Sequence, residues 1–199
     1  AERRAERRDD LISGLIDVEE SGDQLSTDEI VRTCGLLLAA GNLTTTDLIG
    51  NGVLALLENP EQMETLRARP ELLNNAVEEM IRYDPPVQSS GRLTLKDMEV
   101  AGCPVHAGSS LGVSLAAANH DPAVHPNPHK FDIERDYIEH VSFGGGRRYC
   151  LGANLARLET QEAIRVLVER FPELSLADRE VQHRSMPGFR GLMKLLVQP

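Results

Sequence analysis

Apolar residues along this chain alternate between helical spacing and short extended runs, and the switches between the two patterns define its elements. Leu11, Ile12, Leu15 and Ile16 recur at helical intervals inside an otherwise charged opening and predict a short amphipathic helix, broken at Ser21-Gly22-Asp23. Ser26-Thr27-Asp28-Glu29 has the form of a capping box, with Ser26 as N-cap and Glu29 reaching back. Nothing interrupts a helix from there until Asn59-Pro60, which predicts one long helix over about 27–58. At 1.5 Å per residue it measures on the order of 45–50 Å, so it needs packing on several sides and is expected at the centre of the fold. Pro60 opens a short helix to about Ala68. Pro70 opens another, over about 71–83, stopped by Asp84-Pro85-Pro86.

The pattern then changes. Val87 to Leu95, Met98 to Val105 and Ser109 to Ala116 are β-leaning runs separated by Lys96-Asp97, Pro104 and Ala107-Gly108, which predicts a small, partly antiparallel sheet over about 87–118. A turn-rich stretch from Asn119 to Pro128 carries a short helix at most. His120, His125 and His129 sit among its prolines rather than on one helical face, so they read as surface or turn residues, not metal ligands. His140 reads as a local hydrogen-bonding group. A helix over about 153–170 presents Leu155, Leu158, Ala163, Ile164 and Leu167 as its apolar face and ends at Phe171-Pro172. Strand alternation fills about 174–199. The expectation is a mainly α fold with small β-sheets, arranged as a single domain over 1–199.

Composition excludes several classes. With 31 acidic and 21 basic residues the formal charge is −10, which argues against nucleic acid as a partner. The longest apolar run, Leu36 to Ala40, is far too short to span a bilayer, so no membrane is expected. Three widely spaced cysteines make neither a disulfide framework nor a zinc site, and no secretory signal is visible. A cytoplasmic location fits best.

The chemistry concentrates in Phe143-Gly144-Gly145-Gly146-Arg147-Arg148-Tyr149-Cys150-Leu151-Gly152-Ala153. Successive glycines free the backbone for positive φ and for close approach to a flat ligand. The helix beginning at Ala153 brings the Cys150 thiol to a positive helix end, where a thiolate is favoured. Taken singly, a lone cysteine is usually a small buried hydrophobe and a glycine run usually a turn. The joint spacing, Phe-x-x-Gly-x-Arg-x-Cys-x-Gly, resembles the haem-binding signature of the cytochromes P450, and the LGANLAR continuation resembles their bacterial soluble class. The resemblance implies haem b (iron protoporphyrin IX) with Cys150 as the axial metal ligand. It implies Arg148 on a haem propionate, Phe143 packed beneath the porphyrin, and Gly144, Gly146, Leu151, Gly152 and Ala153 as further cofactor contacts.

Other stretches extend the resemblance. Ala40-Gly41-Asn42-Leu43-Thr44-Thr45-Thr46, inside the long helix, reads either as a close helix–helix contact or as a local loosening of the helix by Gly and Thr. It resembles the AGxxT oxygen-activation motif. That match implies Ala40 and Gly41 over the haem, Thr44 in oxygen activation and proton delivery, and Asn42 and Thr45 assisting. Where the family usually has an acid before the threonine, this chain has Leu43, which carries no proton. Leu43→Glu is therefore expected to raise the product formed per NAD(P)H consumed. Glu79 and Arg82, three apart on one helix, read in isolation as a surface salt bridge. Followed by Tyr-Asp-Pro-Pro they resemble the family's Glu-x-x-Arg motif, with Arg135 as the third member of a buried ion-paired core that locks the cysteine loop.

By the same resemblance Arg92 reaches the second propionate. Val87, Gln88 and Phe189, at the Met186-Pro187-Gly188-Phe189 turn, border the substrate. Arg147, Arg157 and Lys130 would form a basic patch for an acidic redox partner.

Family members are roughly twice this size, so the match implies the C-terminal half of the fold, in a chain that is truncated, cleaved or naturally short. The expected activity is insertion of one oxygen atom from O2 into a small apolar organic substrate, with electrons from a ferredoxin or flavin reductase. The alternative is a non-catalytic haem-binding fragment or assembly module, self-associated or paired with a missing N-terminal half.

Overall fold

A computed structural model describes residues 2–22, 25–178 and 180–199. Asp23, part of the expected helix break, lies outside the described residues. Contacts divide the chain into two compact units, Ala1–Leu43 and Thr44–Pro199, where the sequence suggests one domain. The division falls inside the long helix.

In the first unit α1 (Glu2–Ala5) is followed by α2 (Leu11–Glu20), whose N-cap Asp10 accepts a 2.8 Å bond from the Ser13 N–H. Arg7 bridges Asp17 at 2.8 Å and Glu20 at 2.5 Å. The capping box forms as expected. The Ser26 N–H donates to Glu29 Oε2 at 2.8 Å, and the Glu29 N–H donates to Ser26 Oγ at 3.3 Å. It opens α3, Thr27–Glu58, with the boundaries the caps and proline imply. The helix is α-helical throughout, so the Gly41–Thr46 run introduces neither a 3-10 nor a π segment.

In the second unit, α3 from Thr44 onward packs with α4 (Pro60–Ala68), α5 (Leu73–Tyr83) and α7 (Ala153–Arg170) around Leu48, Leu56, Met63, Val77, Met80, Phe131 and Ile164. Pro70 opens a 3-10 turn, Pro70–Leu72, before α5 begins. Gly52 permits the close approach of α3 to α5, since a Cβ there would lie 2.7 Å from Met80 Sδ. The buried stripe of α7 is Ala153, Thr160 and Ile164, with Ala156, Arg157 and Leu167 half-buried. The expected apolar face is corrected accordingly: Leu155 and Leu158 are exposed, 58% and 63%. Small residues at 153, 156 and 160 lie on the buried side of α7, and the Thr160 hydroxyl is satisfied by the Ala156 carbonyl at 2.7 Å.

The expected single sheet is instead separate two-stranded pairs. β1 (Ser89–Leu93) pairs antiparallel with β4 (Ser110–Ser114), and β2 (Met98–Val100) pairs with β3 (Cys103–Val105) across Ala101-Gly102. Both of those turn residues have positive φ, the pattern of a tight hairpin turn. Ser114 caps α6, Leu115–Asn119, so residues assigned to a strand end are helical. Among the described residues of the tail only β5 (Ser175–Leu176) and β6 (Val197–Gln198) pair as strands.

Between them a hairpin with its tip at Met186–Phe189 is clamped to the rest of the unit. Arg184 pairs with buried Asp47 on α3, and Arg190 Nε meets Asp84 Oδ1 at 2.7 Å. Gly191 sits where a Cβ would collide with the Asp47 carboxylate and the Arg184 guanidinium. Gly191→Ala is therefore expected to cost about 1–3 kcal/mol, read as a lowered urea midpoint with unchanged slope.

Candidate functional site

The cysteine loop is closed by backbone hydrogen bonds. The Cys150 N–H donates to the Phe143 carbonyl at 2.9 Å and the Gly144 N–H to the Val141 carbonyl at 2.8 Å. A 3-10 turn, Gly146–Arg148, lies between them. Gly144 (φ 71°) and Gly146 (φ 60°) use the left-handed region, whereas Gly145 (φ −163°) is extended backbone that any residue adopts. Beside Gly145, Gly146 and Gly152, apart from the flanking residues, no atom lies within 4 Å of where a Cβ would stand. Cys150 is exposed three residues ahead of the start of α7, next to Leu151, which is 89% exposed. Ala153 is buried, while Arg147 and Arg148 are exposed.

Behind the loop, Glu79 and Arg82 are wholly buried, which overturns the surface reading of that pair. Arg82 Nε meets Glu79 Oε2 at 2.7 Å and Nη2 meets Oε1 at 2.9 Å, a bidentate fork. Arg135 Nε approaches Glu79 Oε2 at 3.3 Å. Further donors are satisfied by carbonyls: Arg82 Nη1 by Pro128 at 2.8 Å and Asn119 at 3.0 Å, Arg135 Nη1 by Pro126 at 2.8 Å.

Asn119, which the sequence did not single out, connects this core to the loop. It is 1% exposed. Its Nδ2 donates to the Arg82 carbonyl at 3.2 Å and to Ser142 Oγ at 2.7 Å, and its Oδ1 accepts the Val141 N–H at 2.9 Å. A polar residue closing an all-alanine helical turn was the only local signal for it.

Glu78 was also missed. Arg157 Nε donates to Glu78 Oε1 at 2.5 Å and Nη2 to Oε2 at 2.9 Å, while His140 Nε2 lies 3.0 Å from Oε2. Burial pushes the Glu78 carboxyl up, but hydrogen bonds from His140 and Arg157 and the Arg157 charge outweigh it and hold it at about 2, below its ordinary 4.5. A carboxylate depressed on folding contributes stability above its unfolded value and loses it as pH falls. Stability is thus expected to drop between about pH 4.5 and 2, and Glu78→Gln is expected to flatten that part of a melting-temperature profile. Arg157 pairs with Glu78 and Lys130 with Asp132 at 2.8 Å, so of the three residues of the expected basic patch two already face acids and Arg147 stands exposed.

The remaining residues divide as follows. On α3, Ala40, Gly41 and Asn42 are exposed, Thr44 is half-buried and Thr45 is 8% exposed. Arg92 lies exposed on β1, its Nη1 on the Gly91 carbonyl at 2.8 Å. Val87 bridges Phe189, and the Gln88 N–H donates to the Gly188 carbonyl at 2.9 Å. Gln88 lines a cavity of about 480 Å³ with Tyr83, His120, His129 and Arg190, to which neither Val87 nor Phe189 contributes.

His125 is not a surface residue: it is 1% exposed, with Nε2 2.6 Å from the Glu139 carbonyl. Among the described residues no group of three or more His, Cys, Asp or Glu could hold a metal ion, and no helix is long and apolar enough to cross a membrane.

The family model for cytochrome P450 matches residues 1–196. The chain is 44% identical over 195 residues to the biotin biosynthesis cytochrome P450 of Bacillus subtilis, covering 98% of this chain and 49% of that protein. It is 45% identical over 199 residues to the vitamin D(3) 25-hydroxylase of Pseudonocardia autotrophica, covering 98% of this chain and 49% of that one. Among solved structures, CYP109E1 from Bacillus megaterium in complex with testosterone superimposes with a TM-score of 0.95 at 36% identity, covering 98% of this chain and 51% of the other. The chain spans about half the length of the curated relatives it matches. With its cysteine loop and buried Glu79–Arg82–Arg135 core, this chain belongs to the cytochrome P450 family.

Proposed function

We propose that this chain is the cysteine-ligand half of a haem-thiolate monooxygenase that inserts one oxygen atom from O2 into a largely apolar organic substrate. The observation that carries the reading is the exposed thiol of Cys150, held by the Cys150–Phe143 backbone bond in a loop whose glycines leave open space beside the backbone. These residues fit haem b: a single soft anionic donor suits its iron, and glycines admit a flat macrocycle.

Haem, when bound, supplies the place where O2 binds and is reduced. Everything else is the work of the chain. Cys150 Sγ would donate to the metal, and the Glu79–Arg82–Asn119 network holds its loop in place. Arg148 and Arg92, both exposed, neutralise propionates, and Phe143, Gly144, Gly146, Leu151, Gly152 and Ala153 line the cofactor. Ala40 and Gly41 belong to the oxygen-binding stretch of α3. Thr44 Oγ1, assisted by Asn42 and Thr45, moves protons to oxygen, a task Leu43 does not share. Val87 and Phe189, bridged to each other, border the substrate, with Gln88 next to Val87 in sequence.

Relatives crystallised with a hexadecenoic acid-ligated acyl carrier protein, with testosterone and with myristic acid support a largely apolar substrate. Electrons come from a ferredoxin or flavin reductase docking near Arg147. The test is the absorption spectrum of the haem-loaded, reduced protein under CO. The haem-thiolate band is expected; a spectrum lacking it overturns the reading. A band without reductase- or peroxide-driven product leaves a haem-binding module in place of an enzyme.

A further inference from the structure

Two adjacent acids on α5 serve different networks. Glu79 turns toward Arg82 and Arg135, while Glu78 turns toward α7 and receives both arms of Arg157. That pairing fixes where the Arg157 cation stands. Its guanidinium carbon lies 4.6 Å from the centroid of the Phe143 ring, within range of a cation–π contact. Its Nη1 donates to the Tyr149 hydroxyl at 3.3 Å. Phe143 is the residue whose carbonyl accepts the Cys150 N–H, and Tyr149 immediately precedes Cys150. The His140 ring lies 5.7 Å from that of Phe143, and its Nε2 is 3.0 Å from Glu78 Oε2. One fixed cation therefore touches both residues that frame the thiol, and one fixed anion stands directly behind it. The Arg157 and Glu78 side chains are only 24% and 27% exposed, so solvent screens their charges less than it would on the surface.

We propose that Glu78 and Arg157 are positioning residues whose opposed charges, held behind Phe143, set the reduction potential of the haem-thiolate centre. The proposal rests on the haem-thiolate reading. When a ferredoxin- or flavin-type donor passes one electron to the ferric centre, the centre gains one negative charge. Arg157 stabilises that added charge and Glu78 opposes it; local charge and hydrogen bonding are among the protein's means of tuning such centres.

The test is a spectroelectrochemical titration of the haem-loaded protein and three variants. Arg157→Gln is expected to lower the potential and Glu78→Gln to raise it. The double variant, which removes one charge of each sign, is expected to return close to the parent value. A merely structural role gives the opposite pattern, with both single variants shifting the same way and the double shifting at least as far; that result overturns the proposal. If Arg157→Gln fails to fold, Glu78→Gln and Glu78→Asp make the same distinction. Asp keeps the charge while shortening the reach, so only Gln is expected to raise the potential, and equal shifts overturn the proposal. A parent protein without the reduced CO band overturns the haem-thiolate reading and this proposal together. A parent with the band and same-sign shifts overturns this proposal alone.

Discussion

Cys150→Ser is expected to abolish the reduced, CO-bound haem-thiolate band while moving the stability of the haem-free chain by no more than about 0.5 kcal/mol. The two halves of that expectation have separate causes. A serine hydroxyl stays protonated at neutral pH and is a hard, neutral donor, so it cannot replace a soft anionic sulfur on iron. The loop, by contrast, is closed by main-chain bonds. The Cys150 N–H to Phe143, the Tyr149 N–H to Gly146 and the Ala153 N–H to the Cys150 carbonyl involve no side chain, and the Cys150 side chain is exposed. Stability is best compared without haem, because a ligand bound only to the folded state adds stability of its own. A CO spectrum indistinguishable from the parent's would remove Cys150 from the metal site.

Glu79→Ala is expected to be the most destabilising single change, at about 3–5 kcal/mol. The loss exceeds that of one contact because the variant strands charge. The Arg82 side chain has no solvent exposure and that of Arg135 only 10%, so neither guanidinium can turn to water. The Asp132 N–H also loses Glu79 Oε1, its acceptor at 3.0 Å. Against a total stability of about 5–15 kcal/mol for an ordinary domain, such a loss leaves little reserve.

Arg165→Ala is the control. Arg165 also pairs with two acids, Glu162 and Glu169, but on an exposed face of α7, and its removal is expected to cost less than about 1 kcal/mol. Urea titrations of the two variants separate the cases; equal midpoint shifts would mean that the Glu79 cluster is solvated. Because Asn119 couples the Arg82 carbonyl to Ser142 and Val141, Glu79→Ala is also expected to weaken haem retention.

Features written in local chemistry were legible. The capping box and Asn59-Pro60 marked both ends of α3, and Gly152 and Phe171-Pro172 marked those of α7, because caps and prolines act within one turn. The cysteine loop was legible for the same reason: its spacing and its closing bonds lie within about a dozen residues. Partner choice was not legible. Periodicity put Leu155 and Leu158 on the buried face of α7, yet both are exposed and the buried stripe includes the small residues Ala153 and Thr160, which no property of α7 alone reports. Arg147 and Arg157 looked equivalent, although only Arg157 finds Glu78, 79 residues away in sequence.

By itself the sequence determined the longer helices, the presentation of one thiol by a glycine loop, and the family, since each depends on residues close together along the chain. Only the tertiary structure decided which charges are buried, that Asn119 connects the ion-paired core to the loop, and that Glu78 holds Arg157 on Phe143. Those outcomes depend on desolvation and on distances between segments far apart in the chain, and a charged side chain has the same identity in water as in a core.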